Sequence, residues 1–204
     1  MIVNRTRERL YKFLRERNEQ PERCREIDAC IREVFAETVA VLVMDMSGFS
    51  RQTVRHGIIH FLAKIQRMHA IAIPLVEQRG GQIVKLEADN IYAVFGAVAD
   101  AVEAAVDIQK GMDAANTLLP DELDMHGEYG IGYGETLVIE NEDIFGSEVN
   151  LASKLGEDLA DRGEILLTES AFQHVAEGGR EFERLDITIS GLDLVVYRVK
   201  DAAS

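Results

Sequence analysis

Apolar residues recur along the chain at two spacings, one typical of helices and the other of strands. Near the N-terminus, Leu10, Phe13 and Leu14 share one face of a first helix, and Pro21 suits the start of a second. Short apolar runs predict strands over residues 38–46, 82–95 (two strands around a tight turn), 125–139, 163–167, 182–189 and 192–199. Helices are predicted between them, over residues 58–78, 98–118, 146–159 and 168–176.

The order of these elements predicts the fold class. From residue 38 it runs strand–helix–strand–strand–helix–strand, which is the ferredoxin-like order of an α+β domain. The pattern alone leaves several α+β folds open. We expect an N-terminal helical segment, residues 1–36, followed by one domain over residues 37–204. The helical segment has no residues typical of a catalytic site, and it could cap the domain, stabilise a dimer or relay a signal.

Composition narrows the range of partners and compartments. The 204-residue chain is 47% hydrophobic, and its formal net charge of −14 argues against binding to nucleic acid or to an anionic membrane. Its apolar runs are far shorter than a membrane span, and its charged N-terminus lacks the apolar stretch of a secretory signal. We therefore expect a cytoplasmic protein. Cys24 and Cys30 fit no zinc-site spacing and are expected to be free thiols.

Two aspartates lie at the ends of apolar, strand-like runs. Asp45 follows the run 39–44, and Asp89 follows the run 83–86. If folding brings the two carboxylates together, they repel each other unless a cation lies between them. Mg²⁺ is the natural candidate, because it binds one or two carboxylates together with substrate phosphates. Taken singly, each aspartate has a structural alternative, a strand-end cap for Asp45 and a turn residue for Asp89.

A third segment, residues 143–155 (DIFGSEVNLASKL), completes a pattern. Together with VMDMSGFS at 43–50 and KLEAD at 85–89, it resembles the class III nucleotidyl cyclases, the adenylate and guanylate cyclase family. The resemblance implies a ferredoxin-like class III nucleotidyl cyclase fold, with a central, mainly antiparallel sheet flanked by helices. It also implies a dimeric active site, with metal-binding and base-reading residues from opposite subunits. Since this chain carries both sets, we expect a homodimer with two equivalent sites.

The resemblance assigns roles to the acidic strand ends. Asp45 and Asp89 match the family's metal-binding aspartates, which hold two Mg²⁺ or Mn²⁺ ions. One ion helps to activate the ribose 3′-hydroxyl and the other neutralises the triphosphate. The backbone around Gly48 and Phe49 is expected to lie against the phosphates.

The same resemblance assigns the nucleotide contacts. Lys85 and Asp143 match the purine-reading pair, in which a lysine donates to an adenine ring nitrogen and an aspartate accepts from the exocyclic amine; this favours ATP. Asn150 matches the asparagine that positions the ribose, and Lys154 stands at the position of the transition-state arginine. Residue chemistry alone also allows Lys85 to be a surface lysine and Asp143 part of an acidic loop. It equally allows Asn150 and Lys154 to be solvated helix residues.

The sequence departs from the family pattern in four places, two single residues and two short segments. Lysine at position 154 keeps the charge of the arginine but loses its rigid fork. The stretch 189–193 has no basic residue where many members carry a phosphate-binding lysine, and the short acidic segment 135–142 replaces a longer arm. Ala88 replaces a glycine that usually precedes the second metal-binding aspartate.

Three interpretations of function follow. The first is an adenylate cyclase of intracellular signalling that converts ATP to 3′,5′-cyclic AMP and pyrophosphate, with activity weakened by the departures. The second is a cyclase-like domain that has lost turnover and serves as a nucleotide sensor or interaction module. The third is a cyclase for another nucleoside triphosphate.

Overall fold

The computed structural model describes residues 5–47, 57–120, 123–175, 179–189 and 192–200. These residues form α-helices α1 (Arg7–Glu19), α2 (Cys24–Phe35), α3 (Ile58–Gln78), α4 (Val98–Asn116), α5 (Ser147–Lys154) and α6 (Glu169–Gln173). Their strands are β1 (Ala36–Met46), β2 (Gln82–Glu87), β3 (Asn90–Phe95), β4 (Gly127–Ile139), β5 (Asp143–Phe145), β6 (Ile165–Thr168), β7 (Phe182–Ile189) and β8 (Leu192–Val199).

The strands form one sheet in the order β2-β3-β1-β4-β6-β8-β7, with β5 paired to β4 outside this path. Every pairing is antiparallel except β4–β6. The first four strands and the helices α3 and α4 give the ferredoxin-like arrangement, so the predicted fold class is confirmed. Two details differ from the prediction. β5 was not expected, and the helix predicted over 146–159 is α5 followed by a π-helical turn, Leu155–Leu159.

The sheet is covered on both faces, which explains the continuous apolar run in β1. Ala40, Leu42 and Met44 pack into a core with α3 and α4 on one face. Val41 and Val43 pack with residues of α5 on the opposite face. A strand buried on both faces needs apolar side chains at successive positions rather than at alternate ones.

Glycines in β4 allow α5 to lie directly on the sheet. A Cβ atom added at Gly130 would meet the carbonyl oxygen of Ala152 at 1.9 Å, and one at Gly132 would meet that of Glu148 at 2.6 Å. Both distances are shorter than any real contact, so larger residues would push α5 away. The glycines in the predicted strand therefore set the distance between the sheet and α5, the helix that carries Asn150 and Lys154.

The N-terminal helices pack against the far end of β4. Leu10 from α1 and Ile27, Ile31 and Phe35 from α2 form a cluster with Ile139. The two helices predicted within residues 1–36 are thus present, while the function of this segment and the domain boundary stay predictions. Both cysteines are free, as expected. No helix in the described ranges has the length and apolar character needed to cross a bilayer.

Candidate active site

Asp45 and Asp89 lie next to each other at one end of the sheet. Asp45 is the penultimate residue of β1, and Asp89 lies in the turn between β2 and β3. Antiparallel pairing of Met44 with Ile91 brings the end of β1 alongside this turn. Asp89 is 8% exposed, and its carboxyl is close enough to that of Asp45 for the two to share a hydrogen bond.

The turn that holds Asp89 has an unusual backbone. Ala88 has φ 52°, in the left-handed region that favours glycine. A residue with a Cβ atom in this region costs about 1–2 kcal/mol relative to the right-handed conformation. A glycine at this position would avoid this cost, so alanine here adopts the turn at some energetic expense.

The two carboxyls are buried beside other acids. Burial, together with the charge of Asp89, raises the pKa of Asp45 to about 7, and Glu128 and Glu157 contribute in the same direction. Burial also raises the pKa of Asp89 and of Glu128. Burial thus makes the charged forms of these carboxyls costly, so that they tend to hold protons, and a bound cation would stabilise their charged forms instead.

The donor set fits a hard divalent cation that is shared with a ligand. Within the residues that the structure describes, no group of three or more His, Cys, Asp or Glu side chains is arranged to hold a metal ion by itself. Two oxygen donors from Asp45 and Asp89 suffice for Mg²⁺ or Mn²⁺ when phosphates and water complete the coordination. Zinc, which prefers nitrogen and sulfur ligands, fits less well.

Lys85 and Asp143 form a second pair. Lys85 Nζ in β2 lies 3.5 Å from Asp143 Oδ1 at the start of β5. Lys85 also forms an ion pair of 2.5 Å with Glu87 and lies over the Tyr92 ring, 5.4 Å from its centroid. The hydrogen bond with Glu87, aided by the charge of Asp143, raises the pKa of Lys85. The ammonium is therefore held charged beside a carboxylate.

Both oxygens of Asp143 have partners. Oδ1 accepts a hydrogen bond from the Ile144 backbone N–H over 3.1 Å. Oδ2 accepts one from Arg7 in α1 over 3.4 Å, and Arg7 also pairs with Glu142 at 3.1 Å. The N-terminal helix thus reaches one member of the predicted base-reading pair.

Asn150 and Lys154 lie one helical turn apart on α5. Asn150 is exposed and Lys154 half-buried. Neither side chain makes a hydrogen bond or ion pair to any residue in the described ranges, so both are available to a ligand. The predicted phosphate-contacting residues Gly48 and Phe49 fall outside the described residues.

The family model for the adenylate and guanylate cyclase catalytic domain matches residues 33–200. The chain belongs to this family. A protein of Rhizobium meliloti (strain 1021) with the provisional name adenylate cyclase 3 is 31% identical over 136 residues, which cover 67% of this chain but 23% of that protein.

Solved structures share the fold. An adenylate/guanylate cyclase/hydrolase from Silicibacter pomeroyi is 25% identical and superposes with a TM-score of 0.68, covering 80% of this chain and 96% of that one. The adenylyl cyclase CyaB from P. aeruginosa is 19% identical, with a TM-score of 0.70 and coverage of 81% and 95%. At that lower identity, the second likeness supports the fold alone.

In this cyclase domain the two pairs are separate. Within the described ranges, no hydrogen bond or ion pair joins Asp45 or Asp89 to Lys85 or Asp143.

Sequence reasoning missed three residues beside the metal-binding candidates of this cyclase domain. Glu128 is the register partner of Asp45 on β4. Glu157 accepts hydrogen bonds of 3.2 Å from both Asn90 and Tyr92. Arg162 donates to the Ser47 hydroxyl over 3.2 Å. Of the three, only Glu128 could have been noticed in the sequence, because it lies at the start of the strand pattern of β4. Its pairing with Asp45 could not be predicted, because the spacing of residues does not give the register between β4 and β1.

Proposed function

We propose that the chain is an adenylate cyclase, which converts ATP to 3′,5′-cyclic AMP and pyrophosphate. The observation that carries the choice of nucleotide is the separation of 3.5 Å between Lys85 Nζ and Asp143 Oδ1. A donor and an acceptor at this spacing match two neighbouring positions on the adenine edge, a ring nitrogen and the exocyclic amine. Guanine presents a carbonyl oxygen where adenine has the amine, and a carboxylate there would be left unpaired and repelled.

Asp45 and Asp89 are proposed to bind two Mg²⁺ or Mn²⁺ ions through their adjacent carboxyls. The ions, when bound, supply positive charge that stabilises the attacking ribose oxygen and the leaving pyrophosphate. The two aspartates hold this charge at a rigid strand end and a tight turn, so little reorganisation is needed during the reaction. The raised pKa of Asp45, about 7, makes metal binding depend on loss of a proton near neutral pH.

Asn150 and Lys154 are proposed to act on the sugar and the phosphates. Asn150 is exposed and free to hydrogen-bond the ribose, which aligns its 3′-hydroxyl with the α-phosphate. Lys154 lies one turn further along the same face and can neutralise charge on the phosphate in the transition state. Because α5 rests on the glycines of β4, both side chains are presented from a fixed backbone.

We propose that the active unit is a homodimer with composite sites. Large apolar side chains flank the base-reading pair and remain exposed: Leu86 is 44% exposed and Phe145 45%. Ile59, near the start of α3, is 81% exposed. Apolar residues exposed beside polar site residues are typical of a surface that another chain covers.

The experiment that tests this function is incubation of the purified chain with each nucleoside triphosphate in turn, with Mn²⁺ and with Mg²⁺. Mass spectrometry of the products distinguishes 3′,5′-cyclic AMP from cyclic products of other nucleotides. We expect slow formation of cyclic AMP, faster with Mn²⁺. Absence of any cyclic product from ATP at high protein concentration would refute the enzyme function, and a cyclic product from another nucleotide alone would refute the adenine choice.

A second candidate is a nucleotide-binding domain without turnover, acting as a sensor or interaction module. The specific observation in its favour is that both base-reading residues already have partners. Lys85 pairs with Glu87, and Asp143 accepts from Arg7. Equilibrium binding of ATP to the purified chain, combined with the absence of cyclic product in the incubation, would select this candidate.

A further inference from the structure

An arginine lies beside the proposed metal site on a rigid loop. Arg162 is exposed, and its Nε donates a hydrogen bond of 3.2 Å to Ser47 Oγ. Ser47 follows the last residue of β1, and its backbone N–H donates to the carbonyl oxygen of His126 over 3.0 Å. Arg162 is thereby connected to the chain just two residues after Asp45.

Backbone hydrogen bonds hold the loop of Arg162 against β4. Gly163 N–H donates to Gly127 O over 2.7 Å, and Tyr129 N–H donates to Glu164 O over 3.0 Å. Gly163 has φ 78°, a conformation that residues other than glycine rarely adopt. The Cα position of Arg162 is therefore fixed relative to the strand that carries Glu128, and the hydrogen bond to Ser47 places its guanidinium near the end of β1.

The guanidinium of Arg162 lies near groups of both signs, because it lowers the pKa of Glu128 and also those of Lys64 and His126. Arg162 lowers the pKa of Glu128, although burial raises that pKa overall. Yet, within the described ranges, no carboxylate lies within ion-pair distance of Arg162. Its Nη atoms also make no hydrogen bond to a described residue. An arginine fork left open next to carboxylates suited to a metal is arranged to receive an anion, since a fork binds two phosphate oxygens at once.

We propose that Arg162 contacts the triphosphate of the bound nucleotide. This inference rests on the proposed function, because it takes the metal-nucleotide complex as the ligand. The residue supplies positive charge that the stretch 189–193 lacks. The ligand class is a metal-bound polyphosphate, so the contact serves any nucleoside triphosphate and contributes nothing to the choice of base.

The test measures equilibrium binding with Mn²⁺ present, using three probes: ATP, inorganic tripolyphosphate and adenosine. The variants are Arg162→Ala and Arg162→Lys, with Arg184→Ala as the matched control, because Arg184 is an exposed arginine on β7 paired with Asp186. We expect Arg162→Ala to weaken ATP and tripolyphosphate binding by about ten- to a hundredfold, the range for a hydrogen bond to a charged group. Adenosine binding should not change, Arg162→Lys should be intermediate, and Arg184→Ala should match the wild type.

The outcomes separate this inference from the function on which it rests. If wild-type protein binds ATP or forms cyclic AMP while Arg162→Ala binds tripolyphosphate as tightly, the inference is overturned and the function stands. An equal loss of adenosine and tripolyphosphate binding in Arg162→Ala also overturns it, because that pattern reports a structural role through Ser47. If the wild type binds neither ATP nor tripolyphosphate, both the function and the inference are wrong.

Discussion

Arg7 Nη2 in the first helix lies 3.4 Å from Asp143 Oδ2, the carboxylate proposed to accept the adenine amine. Lys85 Nζ faces the other oxygen of the same carboxylate at 3.5 Å. An adenine amine must therefore compete with Arg7 for Oδ2. This contact connects the N-terminal helical segment, whose function the sequence left open, directly to the proposed base-reading pair.

Replacing Arg7 with alanine should lower the KM for ATP severalfold and leave kcat nearly unchanged, because the carboxylate oxygen is released before the substrate arrives. The pair is partly exposed, with 44% of the Arg7 side chain accessible, so a larger effect is not expected. Steady-state kinetics measures the split. Arg15→Ala removes the same charge from an exposed position on the same helix and is the control. A rise in KM in Arg7→Ala alone would show instead that Arg7 orients Asp143.

Composite sites can be tested by mixing two inactive variants. Asp45→Ala lacks a metal-binding residue and Lys85→Ala lacks a base-reading residue, and each should be inactive alone. In a heterodimer, one of the two sites receives both lesions and the other receives neither. With random exchange of subunits we expect recovery of about a quarter of the wild-type sites. Cyclic AMP formation by the mixture measures this, and no recovery after demonstrated exchange contradicts sites shared between subunits.

The raised pKa of Asp45 predicts a pH-dependent stability. The folded chain binds this proton more tightly than the unfolded chain, with a pKa of about 7 against the ordinary value of 3.8. The contribution to stability is therefore present at pH values near and below 4 and is lost as the pH rises through 7, when metal is absent. Asp45→Asn is uncharged throughout, so it should raise the melting temperature relative to wild type more at pH 8 than at pH 5.

Thermal unfolding in the presence of a chelator at the two pH values makes this comparison. The exposed Asp158, changed to asparagine, controls for loss of one negative charge. Added Mn²⁺ should stabilise the wild type at pH 8, because the bound ion neutralises the charged Asp45 carboxylate. It should stabilise Asp45→Asn much less, because that variant lacks the carboxylate. If the melting temperatures of wild type and Asp45→Asn differed by the same amount at pH 5 and at pH 8, the surroundings of Asp45 would not raise its pKa.

The sequence predicted the elements well because their apolar spacing is strong, and it predicted both residue pairs through short motifs. Asp45 and Asp89 meet through the β1–β3 register, which spacing alone does not encode. β5 was missed because it is a three-residue strand, too short to show a periodic pattern, which pairs with β4. The contacts of Arg7 and Arg162 join segments far apart in the chain, and no local pattern in the sequence indicates them.

The close contact between β4 and α5 predicts that Gly130→Ala is strongly destabilising. The added Cβ would lie 1.9 Å from Ala152 O, which is backbone and cannot rotate away. Displacement of the helix should cost about 3 kcal/mol or more in the free energy of unfolding, at the upper end of overpacking effects. Chemical denaturation measures the change. Gly96→Ala is the matched control, since a Cβ there meets nothing within 4 Å, and an equally small effect at both glycines would contradict the packing of α5 on the sheet.

Lys154 carries the sharpest prediction about turnover. It is half-buried at the last turn of α5, one turn beyond Asn150, and makes no ion pair within the described ranges. If it neutralises the phosphate in the transition state, Lys154→Arg should raise kcat, because the planar fork binds two oxygens where the ammonium binds one. Lys154→Ala should lower kcat by about 10²-fold, as loss of one transition-state donor does in other enzymes. Lys110, an exposed lysine on α4, receives the same two substitutions as the control and should show no change.

Equal kcat for wild type, Lys154→Arg and Lys154→Ala would mean that Lys154 is a solvated helix residue. The positive charge in the transition state would then have to come from elsewhere, and Arg162 would be the first residue to test for an effect on kcat as well as on binding.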